Sequence, residues 1–212
     1  MALKLAVLAS GGGTNFQAIL DAVDAGTLDA EIGLIASNRE DAGALDRGRR
    51  AGVRAEWVPP GDDFDDRLHL LLEETGPDLI VLAGYLKLIA ERTVRQWSGR
   101  IVNIHPALLP AFGGKGMYGM RVHEAVLESG ARITGVTVHI VDEEYDRGPI
   151  VTQLAVPVLD DDTPDSIQQR VLEREHEIYP RVLQWFSEGR IRVEEGRVFG
   201  SEPDPLLKAD RS

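Results

Sequence analysis

Residues 4–9, 31–37, 54–58 and 78–83 are short and apolar, and each is followed by a stretch with apolar residues three or four positions apart. Strands of this kind, alternating with amphipathic helices, leave few folds open. Each crossover must bring the chain back to add a parallel strand, and right-handed connections place helices on both faces of the sheet. The fold class predicted is α/β: a Rossmann-like, mostly parallel sheet flanked by helices. The later half changes character. Residues 133–141 alternate, with Val136, Val138 and Ile140 on one face and Thr137 and His139 on the other. They meet residues 150–158 across the acidic turn 142–149, so antiparallel strands are added in the C-terminal half.

The predicted helices follow from the same periodicity. Phe16, Ile19, Leu20 and Val23 mark a helix that starts at Thr14 or Asn15 and stops at Gly26. Helices are also expected over 41–51, 62–75, from Gly84 to Trp97, and over 122–127. Asp162-Thr163-Pro164-Asp165 starts the last one, with Thr163 capping and Pro164 in the first helical position. It runs towards Ser187, and Pro180 is expected to kink it. Residues 190–199 read as a hairpin around Glu195-Gly196, and the polar tail from Ser201 as loose.

Three places carry candidate chemistry. Ser10-Gly11-Gly12-Gly13-Thr14-Asn15 links a strand to a helix, a geometry in which backbone N–H groups and the helix dipole favour an anion. It lacks the third glycine or alanine of a dinucleotide loop and the Gly-Lys-Ser/Thr of a P-loop, so a single phosphate is the economical ligand. A plain positive-φ turn is the other reading. In the second place, Ile101 to Pro110, the strand carries Asn103 and His105 on one face and is stopped by Pro106. Ligands of open α/β sheets bind at such carboxyl ends. The third is Glu175, which falls on the apolar stripe of Ile167, Val171, Ile178 and Val182; either a ligand or an internal donor must satisfy it. His139 divides between structural hydrogen bonder and site residue. His123 reads as a surface or packing histidine, and Arg67, among Asp62, Asp63, Asp65 and Asp66, as a solvated charge.

The exclusions are few. The 212 residues contain no cysteine, which removes disulfides, thiolate catalysis and Cys-type zinc sites. No metal is expected, since no His-Glu-x-x-His spacing occurs; no Gly-x-Ser-x-Gly elbow occurs either. A formal net charge of −12 argues against a broad nucleic-acid footprint. No apolar run is long enough for a membrane helix, and Met1 to Lys4 lead directly into a strand, so a cytoplasmic setting is expected. An amide, an imidazole and a carboxylate without a side-chain nucleophile suit acyl transfer between two bound molecules, with the oxyanion held by donors.

Several motifs resemble the phosphoribosylglycinamide formyltransferase family, within the folate-dependent formyltransferases. They are Ser-Gly-Gly-Gly-Thr-Asn-Phe-Gln at 10–17, Leu-Ala-Gly-Tyr at 82–85 and Asn-Ile-His-Pro-Ala-Leu-Leu-Pro at 103–110. Gly-Val-Thr-Val-His at 135–139, Asp-Arg-Gly-Pro-Ile at 146–150 and Glu-His-Glu-Ile-Tyr-Pro at 175–180 complete the set, in the family's order over nearly the whole chain. The resemblance implies transfer of the formyl group of 10-formyltetrahydrofolate, as co-substrate, to the amine of glycinamide ribonucleotide in purine synthesis. It implies Asn103, His105 and Asp146 as catalytic, with His139 and Thr137 in support. Gly13, Thr14, Asn15 and Glu175 are implied to bind the nucleotide. Folate is implied to lie on Arg67, Leu86, Lys87, Leu88, Ile89, Asn103, Asp142, Glu143, Glu144, Tyr145 and Asp146.

One unit over 1–200 is expected, with a phosphate-binding half (1–100), a catalytic and folate-binding half (101–200) and a tail (201–212). The partners expected are the two small molecules, with no nucleic acid or membrane, and the chain as monomer or homodimer. Lys87 replaces an arginine of some relatives, Leu172 a polar or basic residue, and Gly113 to Gly119 a shorter segment; Lys115 is expected to bring charge to the phosphate. The alternatives are another formyltetrahydrofolate-dependent transferase or hydrolase, or a non-catalytic nucleotide- or folate-binding module.

Overall fold

A computed structural model describes residues 2–204. Seven strands form one sheet: β1 (Leu3–Leu8), β2 (Ala30–Ser37), β3 (Ala55–Trp57), β4 (Leu79–Leu82), β5 (Ile101–His105), β6 (Ile133–Ile140) and β7 (Ile150–Pro157). Their order is β3-β2-β1-β4-β5-β6-β7. The strands from β3 to β5 pair in parallel, whereas β5–β6 and β6–β7 are antiparallel. This is the α/β architecture predicted, including the antiparallel addition. The strand order reverses between β1 and β4, and a cleft opens at such a point beyond the strands' carboxyl ends.

Alternation along each buried strand feeds two cores. Leu5 and Val7 of β1 pack with α1 (Thr14–Asp24), α2 (Gly43–Arg50), α5 (Met120–Glu128) and α6 (Pro164–Ser187). Ala6 and Leu8, pointing the other way, pack with α3 (Phe64–Thr75) and α4 (Glu91–Gln96) through Phe64, Leu68, Leu72 and Val94. Burial on both faces explains why these strands read as continuous apolar runs.

α6 starts as expected. The Thr163 side chain accepts from the Ser166 N–H at 3.2 Å, the Ser166 hydroxyl accepts from the Thr163 N–H at 2.9 Å, and Pro164 takes the first helical position. The helix continues through Pro180. The predicted hairpin is present as β8 (Arg192–Glu194) and β9 (Arg197–Phe199), turning through Glu195 and Gly196, both at positive φ.

Two expectations fail. The helix expected from Gly84 to Trp97 begins only at Glu91; residues 84–90 are irregular. Gly84 turns the chain at φ 71°, and the Leu86 N–H donates to Ser10 Oγ at 2.9 Å, which holds the segment across the end of β1. Its apolar residues mimic a helical stripe but leave Leu86 46% and Leu88 43% exposed along the cleft. The tail is also not loose where it is described. The Thr152 hydroxyl donates to the Glu202 carbonyl at 3.1 Å, and Asp204 is buried and accepts from the Ala155 N–H at 2.8 Å. Residues 205–212 lie outside the described residues.

Candidate active site

A cavity of about 780 Å³ opens where the strand order reverses. The loop after β1 forms one end and the carboxyl end of β5 the other; residues 82–89, 114–119 and one face of α6 close the sides.

At the β5 end the register assembles the site. Asn103 pairs with His139 and His105 with Thr137 across β5–β6. Directly opposed residues share a face, so two strands deliver an amide and two imidazoles to one spot. Asn103 Nδ2 lies 3.0 Å from His139 Nε2, and His139 Nδ1 lies 2.9 Å from the Ile140 carbonyl. His139 thus suits the tautomer that donates from Nδ1 and accepts from Asn103. Asp146 arrives from the turn after β6, at φ 55°. Its Oδ2 lies 3.6 Å from His105 Nδ1 and its Oδ1 3.5 Å from His139 Nε2. The Gly114 N–H donates to Oδ2 at 2.8 Å. The other nitrogen of His105, Nε2, is 2.8 Å from the carbonyl of Phe112, itself at φ 54°.

These contacts set the charges. Burial pushes the Asp146 carboxyl up, but the two histidines beside it and the Gly114 N–H outweigh burial, and its pKa lies below the ordinary value. For His105 the balance falls the other way: burial lowers the imidazole pKa, and Asp146 and the Phe112 carbonyl recover only part of the loss. A carboxylate beside an imidazole ordinarily raises its pKa; here the net effect is a lowering. The carboxylate pulls in the expected direction, but the ring is 4% exposed and desolvation is larger.

At the other end, Gly13, at φ 74°, is the N-cap of α1, which has no side-chain cap and no acidic residue in its first turn. A Cβ on Gly13 would approach Ala44 Cα to 2.7 Å, so this tight passage belongs to glycine. The free N–H groups of Thr14 and Asn15 and the dipole face a cavity whose lining includes Gly11, Gly12 and Gly13. Asn15 Nδ2 donates to Glu175 Oε2 at 2.8 Å, while Asn15 Oδ1 has no partner. Glu175 is thus satisfied from within, and its carboxyl still lines the cavity. Burial pushes its pKa up to about 7, with the Asn15 bond opposing.

Tyr179, fully buried one turn after Glu175, donates towards the carbonyls of Leu82 (2.9 Å) and Val102 (3.2 Å). It holds α6 to the last residue of β4 and to Val102 within β5.

Most of the predicted site residues meet here: Gly13, Thr14, Asn15, residues 86–89, Asn103, His105, His139, Glu144, Tyr145, Asp146 and Glu175 all line the cavity. Four do not. Thr137 lies behind the wall, where its hydroxyl donates to the Ala107 carbonyl at 2.6 Å and accepts from the Leu109 N–H at 3.0 Å. Arg67 pairs with Asp63 on its own helix. Asp142 accepts from the Glu144 N–H at 3.0 Å, and Glu143 pairs with Arg95 at 3.1 Å beside an adjoining groove. Conversely, Arg121 and Gln168 carry no signal in the sequence. Ser10 links residues 84–90 to the glycine loop, while Arg121 and Gln168 line the cavity. His123, read as a packing histidine, is 2% exposed and also lines it. Among the described residues no group of three or more His, Asp or Glu is placed to hold a metal ion, and no helix is long and apolar enough to cross a membrane.

A family model described as formyl transferase matches residues 3–183. The chain is similar to the chloroplastic phosphoribosylglycinamide formyltransferase of Arabidopsis thaliana, at 45% identity over 92% of this chain and 69% of that one. It is 38% identical to the phosphoribosylglycinamide formyltransferase of Haemophilus influenzae, over 92% of each chain. Glycinamide ribonucleotide transformylase 1 from Symbiobacterium toebii, a crystal structure, superposes with a TM-score of 0.88 at 41% identity, over 95% of both chains.

Proposed function

The chain belongs to the formyl transferase family, and from that premise we propose that its cavity moves the formyl group of 10-formyltetrahydrofolate to the amine of glycinamide ribonucleotide, a step of purine biosynthesis. The observation that carries this reading is the convergence of Asn103, His105 and Asp146 in one cavity with the anion-ready start of α1. Formyl-folate is the co-substrate of the family. Here it would lie along residues 86–89 and the Glu144–Tyr145 side of the turn, with its formyl carbon at the β5 end. The nucleotide would place its phosphate at Gly13–Asn15 and its ribose by Glu175.

The chemistry follows from the charges. The amine attacks the formyl carbon, and the carbonyl oxygen takes up negative charge. Asn103 Nδ2–H and His105 Nε2–H donate to that oxygen, exchanging His139 and the Phe112 carbonyl for it. Burial disfavours a charged His105 until the oxyanion grows beside it. A second negative charge then joins Asp146 in favouring the imidazolium, so the ring's free nitrogen, Nδ1 beside Asp146, takes up through water the proton released by the attacking nitrogen. It returns that proton to the folate nitrogen as the C–N bond breaks, and no covalent enzyme intermediate forms. His139 and Thr137 position these groups from behind. We place the enzyme in the cytoplasm, as one unit over residues 1–200, acting on small molecules as a monomer or homodimer.

The assay is direct. Tetrahydrofolate should form from 10-formyltetrahydrofolate only when glycinamide ribonucleotide is present. Release without the amine would identify a hydrolase, and no release in either case a binding module.

A further inference from the structure

The family relationship does not say what neutralises the nucleotide's phosphate in this chain. The cavity's cations do. Among the described residues only Lys87, Lys115 and Arg121 bring a lysine or arginine to its lining. Lys87 is committed at the folate side: its ammonium lies 3.7 Å from Asp65 Oδ1 and 3.3 Å from the centre of the Phe64 ring. Lys115 and Arg121 have no carboxylate partner among the described residues; Arg121 only overlies the Tyr118 ring, 5.2 Å from its centre. In a chain of net charge −12 with many surface ion pairs, two unpaired cations on one short segment at a cavity mouth are conspicuous.

The surroundings point to an anion between them and α1. That helix start is uncapped. On α6 the facing residue is Leu172, which brings no charge, and the neighbouring Glu175 is bonded to Asn15. An independent observation comes from α5. His123 is 2% exposed, lines the same cavity, and its Nδ1 has no hydrogen-bond partner. A buried imidazole nitrogen without a partner, on a residue in the cavity wall, is a polar group the protein itself leaves unsatisfied there.

Resting on the proposed formyl transfer, we infer that Lys115 and Arg121, with His123 behind them, form a basic arm that closes the phosphate site opposite Gly13–Asn15. Backbone N–H groups hold one side of the phosphate and the arm supplies compensating charge from the other. Gly114 and Gly116, at φ 97° and 90°, and Gly119 at 58° give the segment the backbone geometry to lie over the site.

The test uses Lys115→Ala/Arg121→Ala in the full chain, with two amines: glycinamide ribonucleotide and the same glycinamide riboside without phosphate. The arm predicts a loss of roughly 10- to 100-fold in kcat/KM for the nucleotide, as for two charge-assisted contacts. It also predicts a change under about twofold for the riboside, and about tenfold weaker competitive inhibition by inorganic phosphate. Lys115→Arg should keep most of the nucleotide activity. Equal losses with both amines, or unchanged kinetics and phosphate inhibition in a variant of parental thermal stability, would overturn the arm. If the parent protein forms no tetrahydrofolate with the nucleotide, the proposed reaction fails instead, and phosphate binding by parent and variant, measured by calorimetry, still decides the arm.

Discussion

The two ends of the cavity treat their polar groups in opposite ways. At the β5 end each reacting group has an internal partner: Asn103 and His139 hold one another, His105 lies between Phe112 and Asp146, and Gly114 holds Asp146. At the α1 end donors are left open. The N–H groups at the start of α1 have no side-chain cap, and His123 Nδ1 lacks a partner, whereas α6 closes its own start with Thr163 and Ser166. The difference separates two tasks. Groups that stabilise a transition state must be oriented beforehand; groups that recognise a phosphate can wait for it. Damage at the first end should appear in kcat, and damage at the second in KM.

The largest effect expected is from Asn103→Ala, which removes the proposed oxyanion donor. Turnover should fall about 10²- to 10³-fold, with KM for the nucleotide within a few-fold of the parent. Steady-state kinetics at saturating folate would show it, and a raised KM with kcat retained would erase the distinction between the ends.

Asp146→Asn comes next, with a loss of about 10²-fold in kcat. Because Asp146 raises the His105 pKa against burial, its removal should lower that pKa further. The acid limb of the kcat/KM profile should then move to lower pH, while folate affinity changes little. Superimposable profiles for variant and parent would remove Asp146 from this role.

The smallest effect sits at the α1 end and concerns stability. Burial raises the Glu175 pKa to about 7, above the unfolded value of 4.5. The native state therefore binds the extra proton between those values. Stability from this group is fully present below pH 4.5 and is lost as pH rises through about 7. The loss should be on the order of 2 kcal/mol, reduced from the full shift because the carboxyl faces an open cavity. Urea unfolding of Glu175→Gln should lack that pH-dependent component. Parallel curves for both proteins would place the carboxyl in a more solvated setting than its burial indicates.

The sequence carries the fold where local and tertiary signals agree. Buried parallel strands need apolar residues on both faces, and the start of α6 states its own capping chemistry in Thr163-Pro164. Asn103 and His105 were legible because two polar residues interrupt an apolar strand just before a proline. Other elements depend on partners far along the chain. Residues 84–90 pass for a helix because Leu86, Leu88 and Ile89 have helical spacing; only the contact between Leu86 and Ser10 shows what holds them. Asp146 has no local signature beyond family motif, since its place beside His105 depends on a left-handed turn after β6. Arg121 is one surface arginine among many until the cavity gives it a neighbourhood.

Tyr179 gives the cavity a common frame of reference. Its hydroxyl reaches the end of β4 and Val102 within β5 from the same helical stripe that carries Glu175 four residues earlier. Glu175, which we propose lies beside the acceptor nucleotide, and the strand that bears Asn103 and His105 are therefore positioned by a single helical turn. A shift of α6 would carry ribose and oxyanion site out of register together, changing the approach angle of the amine at the formyl carbon. Two independently bound molecules thereby acquire the fixed mutual alignment of an intramolecular reaction.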